Sequence, residues 1–113
     1  MWYPLETQKE STMPITVNVH GPVANIILSG EIDYSSQEAF REASNKAVAA
    51  ANVRAIQVHF AEVTFIDSSC IRALLILQKQ AESKGLSLTL VDCVDPIRDI
   101  FEIGGFDAMF TFL

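Results

Sequence analysis

After a first pair of strand-like runs, this chain places a helix-like pattern between every further pair of strand-like runs, and that alternation is what most limits its fold. A helix between two strands of one sheet carries the chain back across it, so the strands run parallel with a right-handed crossover. Ile15 to Val19 (ITVNV) alternates apolar and polar side chains, His20-Gly21-Pro22 makes a turn, and Val23 to Gly30 (VANIILSG) is β-rich. The two read as a hairpin. Phe40, Ala43, Ala47 and Ala51 then recur at helical spacing, with an N-cap offered by Tyr34-Ser35-Ser36 and a stop at Asn52. Ala55 to Phe60 (AIQVHF) reads as a central strand, because helices flank it on both sides. A second helix is expected from Ser68-Ser69 to Lys84, ended by Gly85, which can take the left-handed conformation that other residues avoid.

Leu86 to Val91 supplies a further strand. Asp95-Pro96-Ile97 offers an acidic cap followed by proline in the first turn of a third helix, which should stop at Gly104-Gly105, and Met109 to Phe112 closes the chain as a short strand. The order β-β-α-β-α-β-α-β predicts one α/β domain over residues 15–113, with a mixed, mostly parallel sheet of about five strands and helices packed on it. Residues 1–14, with Pro4 and Pro14 and no periodic pattern, read as a flexible leader, and either Met1 or Met13 can be the natural start.

Half of the 113 residues are apolar and 19% are charged, enough to offset the ordering entropy of a single core. The net charge of −6 repels phosphate backbones and anionic lipid surfaces, which argues against nucleic acid as a partner. No apolar run approaches the roughly 20 residues that cross a bilayer, and the first residues lack a signal-peptide layout, so a cytoplasmic protein without membrane insertion is expected. Cys70 and Cys93 have neither metal nor redox spacing and read as buried free thiols. His20 and His59 stand alone, so no metal site and no cofactor is expected.

The chemically distinctive segment is Val63-Thr64-Phe65-Ile66-Asp67-Ser68-Ser69, in which an acid and two hydroxyls follow a strand and open a long apolar helix. Capping is the plain reading, since such side chains accept hydrogen bonds from the first unpaired helical N–H groups. The same N–H groups and the helix dipole also favour an anion, so a phosphate on Ser68 or Ser69 has a place there, opposed by the charge of Asp67. At 100° per residue, Ser69, Arg72, Ile76, Lys79, Gln80 and Ser83 share one water-facing stripe. Cys70, Ile71, Ala73, Leu74, Leu75, Leu77 and Ala81 form the sheet-facing side. Ile76 is the apolar residue of the polar stripe and hints at a partner surface.

Gly30-Glu31-Ile32-Asp33, the Phe65-to-Ser69 segment, Gly85, Pro96 and Gly104-Gly105-Phe106 together resemble the STAS domain over about residues 15 to 112. The pattern is similar to that of the bacterial anti-sigma-factor antagonists. That resemblance implies a regulatory protein that binds an anti-sigma factor, itself a serine kinase, when unphosphorylated. Phosphorylation by that kinase ends binding, and a PP2C-type serine phosphatase restores it. By match of motif the phosphoacceptor is Ser68, with Ser69 as the second candidate, and Asp33 lies in a loop near it. Asp33, Asp67, Ser69, Arg72 and Ile76 are the expected partner-binding residues.

One departure stands out: the family often has glycines after the two serines, where this chain has Cys70-Ile71-Arg72. Arg72 is placed to reach back to a phosphate on Ser68. The alternative is a STAS interaction subunit, never phosphorylated, of a larger complex such as a lipid-transport assembly. Catalysis is not expected, because there is no G-x-S-x-G elbow and only two histidines could serve as base.

Overall fold

The computed structural model describes residues 15–113, so the leader expected over residues 1–14 lies outside the described residues. Strands β1 (Ile15–His20) and β2 (Val23–Ile32) form the expected antiparallel hairpin, turning at Gly21 with φ of +59°. Helix α1 (Gln37–Ala49) leads to β3 (Ala55–Ile66), α2 (Ser68–Ser83) to β4 (Ser87–Val91), and α3 (Ile97–Ile103) to β5 (Thr111–Phe112). The strands lie in the order β1-β2-β3-β4-β5, and every pair after the first is parallel. With each crossover moving one strand in the same direction and the same hand, the helices fall on one face of the sheet.

The burial pattern agrees. Ala24, Ile26, Leu28, Ile56, Val58 and Phe60 are buried, whereas the intervening Asn25, Ile27, Gln57 and His59 are half-buried. On that open face Asn25 Oδ1 lies 2.7 Å from His59 Nε2. Under the helices, Phe40, Leu74, Leu77 and Leu90 are almost fully buried and tie α1 and α2 to the sheet. Phe101 of α3 packs edge-on against Phe60, Phe110 and Phe112 at ring separations of 6.1, 5.8 and 5.5 Å. Arg98 lies 3.7 Å over the Phe112 ring and covers the short last strand. Cys70 and Cys93 are buried free thiols, as their lack of metal or redox spacing suggested.

Several boundaries differ from expectation. β3 runs on past Phe60 to Ile66, paired with β2 through register shifts between Ile27 and Ser29 and between Gly30 and Glu31. Those shifts expose Ala61 and Glu62 together, and the broken alternation hides the strand's second half. Asp95 does not cap α3; Pro96 occupies the N-cap position, and no side chain bonds the first turn. The expected last strand is a 3-10 turn (Asp107–Met109) followed by two paired residues only. α1 ends at Ala49 rather than near Asn52, which instead turns the chain with φ of +64°. Tyr34–Ser36 form a 3-10 turn capped by Asp33, so the hydroxyl cap proposed from Ser35 and Ser36 is supplied by a carboxylate.

Candidate functional site

The parallel pairing of β2 with β3 ends at Ile32 and Ile66, so Asp33 and Asp67 leave neighbouring strands side by side. This is the carboxyl end of the parallel strands, the edge at which α/β sheets generally present their sites. Each aspartate then makes the same local structure. Asp33 Oδ1 accepts from Ser35 N at 3.0 Å and from Ser35 Oγ at 2.6 Å. Asp67 Oδ1 accepts from Ser69 N at 2.9 Å, from Cys70 N at 3.3 Å and from the Ser69 hydroxyl. Aspartate satisfies two orphan amides at the start of α2 while Ser68, between the bonded residues, turns outward.

Ser68 is exposed, and no hydrogen bond among the described residues involves its hydroxyl. Ser69 is half-buried and doubly engaged with Asp67; its carbonyl also accepts from Gln37 Nε2 of α1 at 3.2 Å. Geometry therefore separates the two serines, which side-chain chemistry alone left paired and which the resemblance ranked with Ser68 first. The Ser69 hydroxyl, and after it the amides of Cys70, Ser69 and Tyr34, hold the Asp67 carboxyl below its ordinary 3.8 against a rise from desolvation. Its negative charge is thus firmly present beside Ser68 near neutral pH. Burial first, and the charge of Asp67 second, push the Cys70 thiol up to about 12.

Ser68 opens onto a groove of about 490 Å³ walled by Tyr34, Ile71, Leu75 and Phe106, with Arg72 on the same wall as the serine. The structure thus brings together Asp33, Asp67, Ser68, Ser69 and Arg72 at one corner. Ile76, 55% exposed, lines instead a second groove between α1 and α2. Gln80, expected on the water-facing stripe, is half-buried and donates from Nε2 to Asn45 Oδ1 of α1 at 3.4 Å, because α1 covers that side of α2. Arg72, Lys79 and Ser83 do face water.

Sequence reasoning missed Tyr34 and Gln37 as parts of the site. Tyr34 is 78% exposed, and an aromatic residue between an aspartate and two serines was the available signal. For Gln37 there was none, since its role depends on how α1 crosses α2.

Residues 15–112 match the family model described as "Mlab, STAS domain". A STAS-domain containing protein of Pseudomonas aeruginosa (strain UCBPP-PA14) is 28% identical over 90 residues, which span 80% of this chain and 87% of that protein. The anti-sigma factor antagonist SpoIIAA of Bacillus is 22% identical. Its unphosphorylated and phosphorylated forms superpose with TM-scores of 0.68 and 0.67, covering 88% of this chain and 86% and 90% of theirs. An anti-sigma-factor antagonist (STAS) domain protein of Planctomyces limnophilus, 17% identical, gives a TM-score of 0.76 over 87% of each chain. Among the described residues no helix is long and apolar enough to cross a membrane. The chain belongs to the STAS domain family, and its fold is that of the anti-sigma-factor antagonists.

Proposed function

We propose that this protein is a cytoplasmic partner switch: unphosphorylated, it binds an anti-sigma factor that is also a serine kinase, and phosphorylation of Ser68 ends that binding. A PP2C-type serine phosphatase resets it. The observation that carries this reading is the division of labour at the start of α2. Asp67 caps the helix and holds Ser69, which leaves the Ser68 hydroxyl exposed and unbonded among the described residues. A hydroxyl with no structural duty can be modified without unfolding anything.

A phosphate adds about −1.5 to −2 charges and sits where the helix dipole favours it but the Asp67 carboxylate opposes it. The surface offered to a partner then becomes more negative locally, while the core beneath is untouched. Asp33, Asp67, Ser69, Arg72 and Ile76 are assigned to the partner surface, with Tyr34 and Phe106 added as the apolar walls of the Ser68 groove. The rival reading, an interaction subunit never phosphorylated, draws on Arg72, an exposed side chain close after the two serines, where the family often has glycines. Intact-mass spectrometry of the protein from its own cells separates the two. The switch requires a fraction heavier by one phosphate that disappears in Ser68→Ala; the rival requires that no such species forms, even with the cognate kinase and ATP.

A further inference from the structure

The two edges of the sheet are built differently. β5 is only two residues long, whereas β1 offers six in unbroken register with β2. His20 and Val23 flank a two-residue turn and so exchange both backbone hydrogen bonds. Alternation then turns the N–H and C=O of Ile15, Val17 and Val19 outward, where no described residue pairs with them. Natural edges of this kind are blunted by shortness, lysine, proline or a bulge, because otherwise they template pairing with another strand. β5 is short; the run Ile-Thr-Val-Asn-Val-His of β1 has none of these devices.

The ground beside this edge selects the partner. Ile15, Val17 and Val19 share one side-chain face and, with Ala39 and Ala43 of α1, line a groove of about 460 Å³. Val19 is 45% exposed. On the α1 side of the groove stand Glu42 and Lys46, both exposed, one helical turn apart and in no ion pair among the described residues. Opposite charges lining one groove are what a surface needs in order to complement itself about a two-fold axis.

We propose that β1 is the interface of a homodimer, pairing antiparallel with β1 of a second copy about a two-fold axis through Val17. Ile15 then lies opposite Val19 of the other copy, the two grooves close on each other, and Glu42 of each copy meets Lys46 of the other. No residue of this edge lines the Ser68 groove, so the dimer presents two Ser68 corners at once.

The test is sedimentation velocity of the full chain over a concentration series. A reversible dimer is expected. Val17→Pro removes an outward N–H and spares the ladder to β2, so it should keep the thermal midpoint and raise the dimer dissociation constant at least about tenfold. Glu42→Lys and Lys46→Glu, taken singly, place like charges across the axis and should weaken the dimer by about tenfold or more, and the two together should restore it. A chain that stays monomeric would overturn the proposal and leave the edge to residues 1–14 or to a strand of another protein. A dimer indifferent to Val17→Pro, or a double charge variant no tighter than the single ones, would also overturn it. Should Val17→Pro fail to fold, the charge exchange decides alone.

Discussion

Asp33 and Asp67 are structural twins: they follow the paired residues Ile32 and Ile66, and each binds the amide and the hydroxyl of the serine two positions on. The residues in the middle of the two loops, Tyr34 and Ser68, are thereby both turned into one groove. The carboxylates build the corner, and the residues they do not touch are presented to a partner.

If Asp67 is the cap and Ser68 is not, Asp67→Ala costs about 1 kcal/mol of stability. Ser68→Ala stays within about 0.5 kcal/mol. Urea unfolding of the two variants checks this. The pH dependence has a definite sign. The Asp67 carboxyl is lowered in the folded protein, so its stabilisation is complete above the ordinary value of 3.8 and fades as pH falls through the lower, folded one. The stability gap between the parent and Asp67→Ala should therefore narrow only in strong acid.

Arg72 and a phosphate on Ser68 are one helical turn apart on the same groove wall. A guanidinium there favours the doubly ionised phosphate, so Arg72→Ala should raise the second ionisation of phosphoserine 68 toward the ordinary value of about 6. A ³¹P NMR titration reads that shift directly. An unchanged titration would show that Arg72 points away from the modified residue.

The periodic parts of this architecture were legible before any coordinates. Phe40, Ala43 and Ala47 mark the buried side of α1, and Ile56, Val58 and Phe60 alternate as a strand covered on one face should. The second half of β3 was not legible, because the register shifts against β2 place Ala61 and Glu62 outward in succession. At the site, Asp67-Ser68-Ser69 was readable as a helix start, but either serine was an equal partner for the cap. Only the hydrogen bonds to Ser69 separate them. The resemblance placed Asp33 in a loop near Ser68, but the mirrored hydrogen bonding of the two loops was not legible, because strand register, a long-range property, sets the two aspartates side by side.

Cys70 and Cys93 should be inert in the folded protein. Burial pushes their thiols up to about 12 and about 11. At pH 8 that leaves almost none of either thiol as the reactive thiolate. Ellman's reagent is expected to find no thiol in the native chain and two after guanidinium unfolding. Rapid native reaction would mean that the α2 start opens far more readily than its packing implies.

Phe101 is the keystone under α3, fully buried with three aromatic neighbours. Phe101→Ala should cost about 3–5 kcal/mol. Arg98→Ala, which loses the stacking on Phe112, should cost only about 0.5–1 kcal/mol. Thermal and denaturant unfolding measure both, and a smaller loss for Phe101 than for Arg98 would reverse the assignment of what holds this end of the sheet.

The account rests on a charge that can be added at Ser68 without disturbing the fold. Its most direct test is the affinity of the unmodified and the Ser68-phosphorylated protein for the anti-sigma-type kinase, measured beside the thermal midpoint of each form. The prediction is at least about a tenfold loss of affinity, or about 1.4 kcal/mol, with the midpoint nearly unchanged. Equal affinities for the two forms, or a phosphorylated form that unfolds, would contradict it.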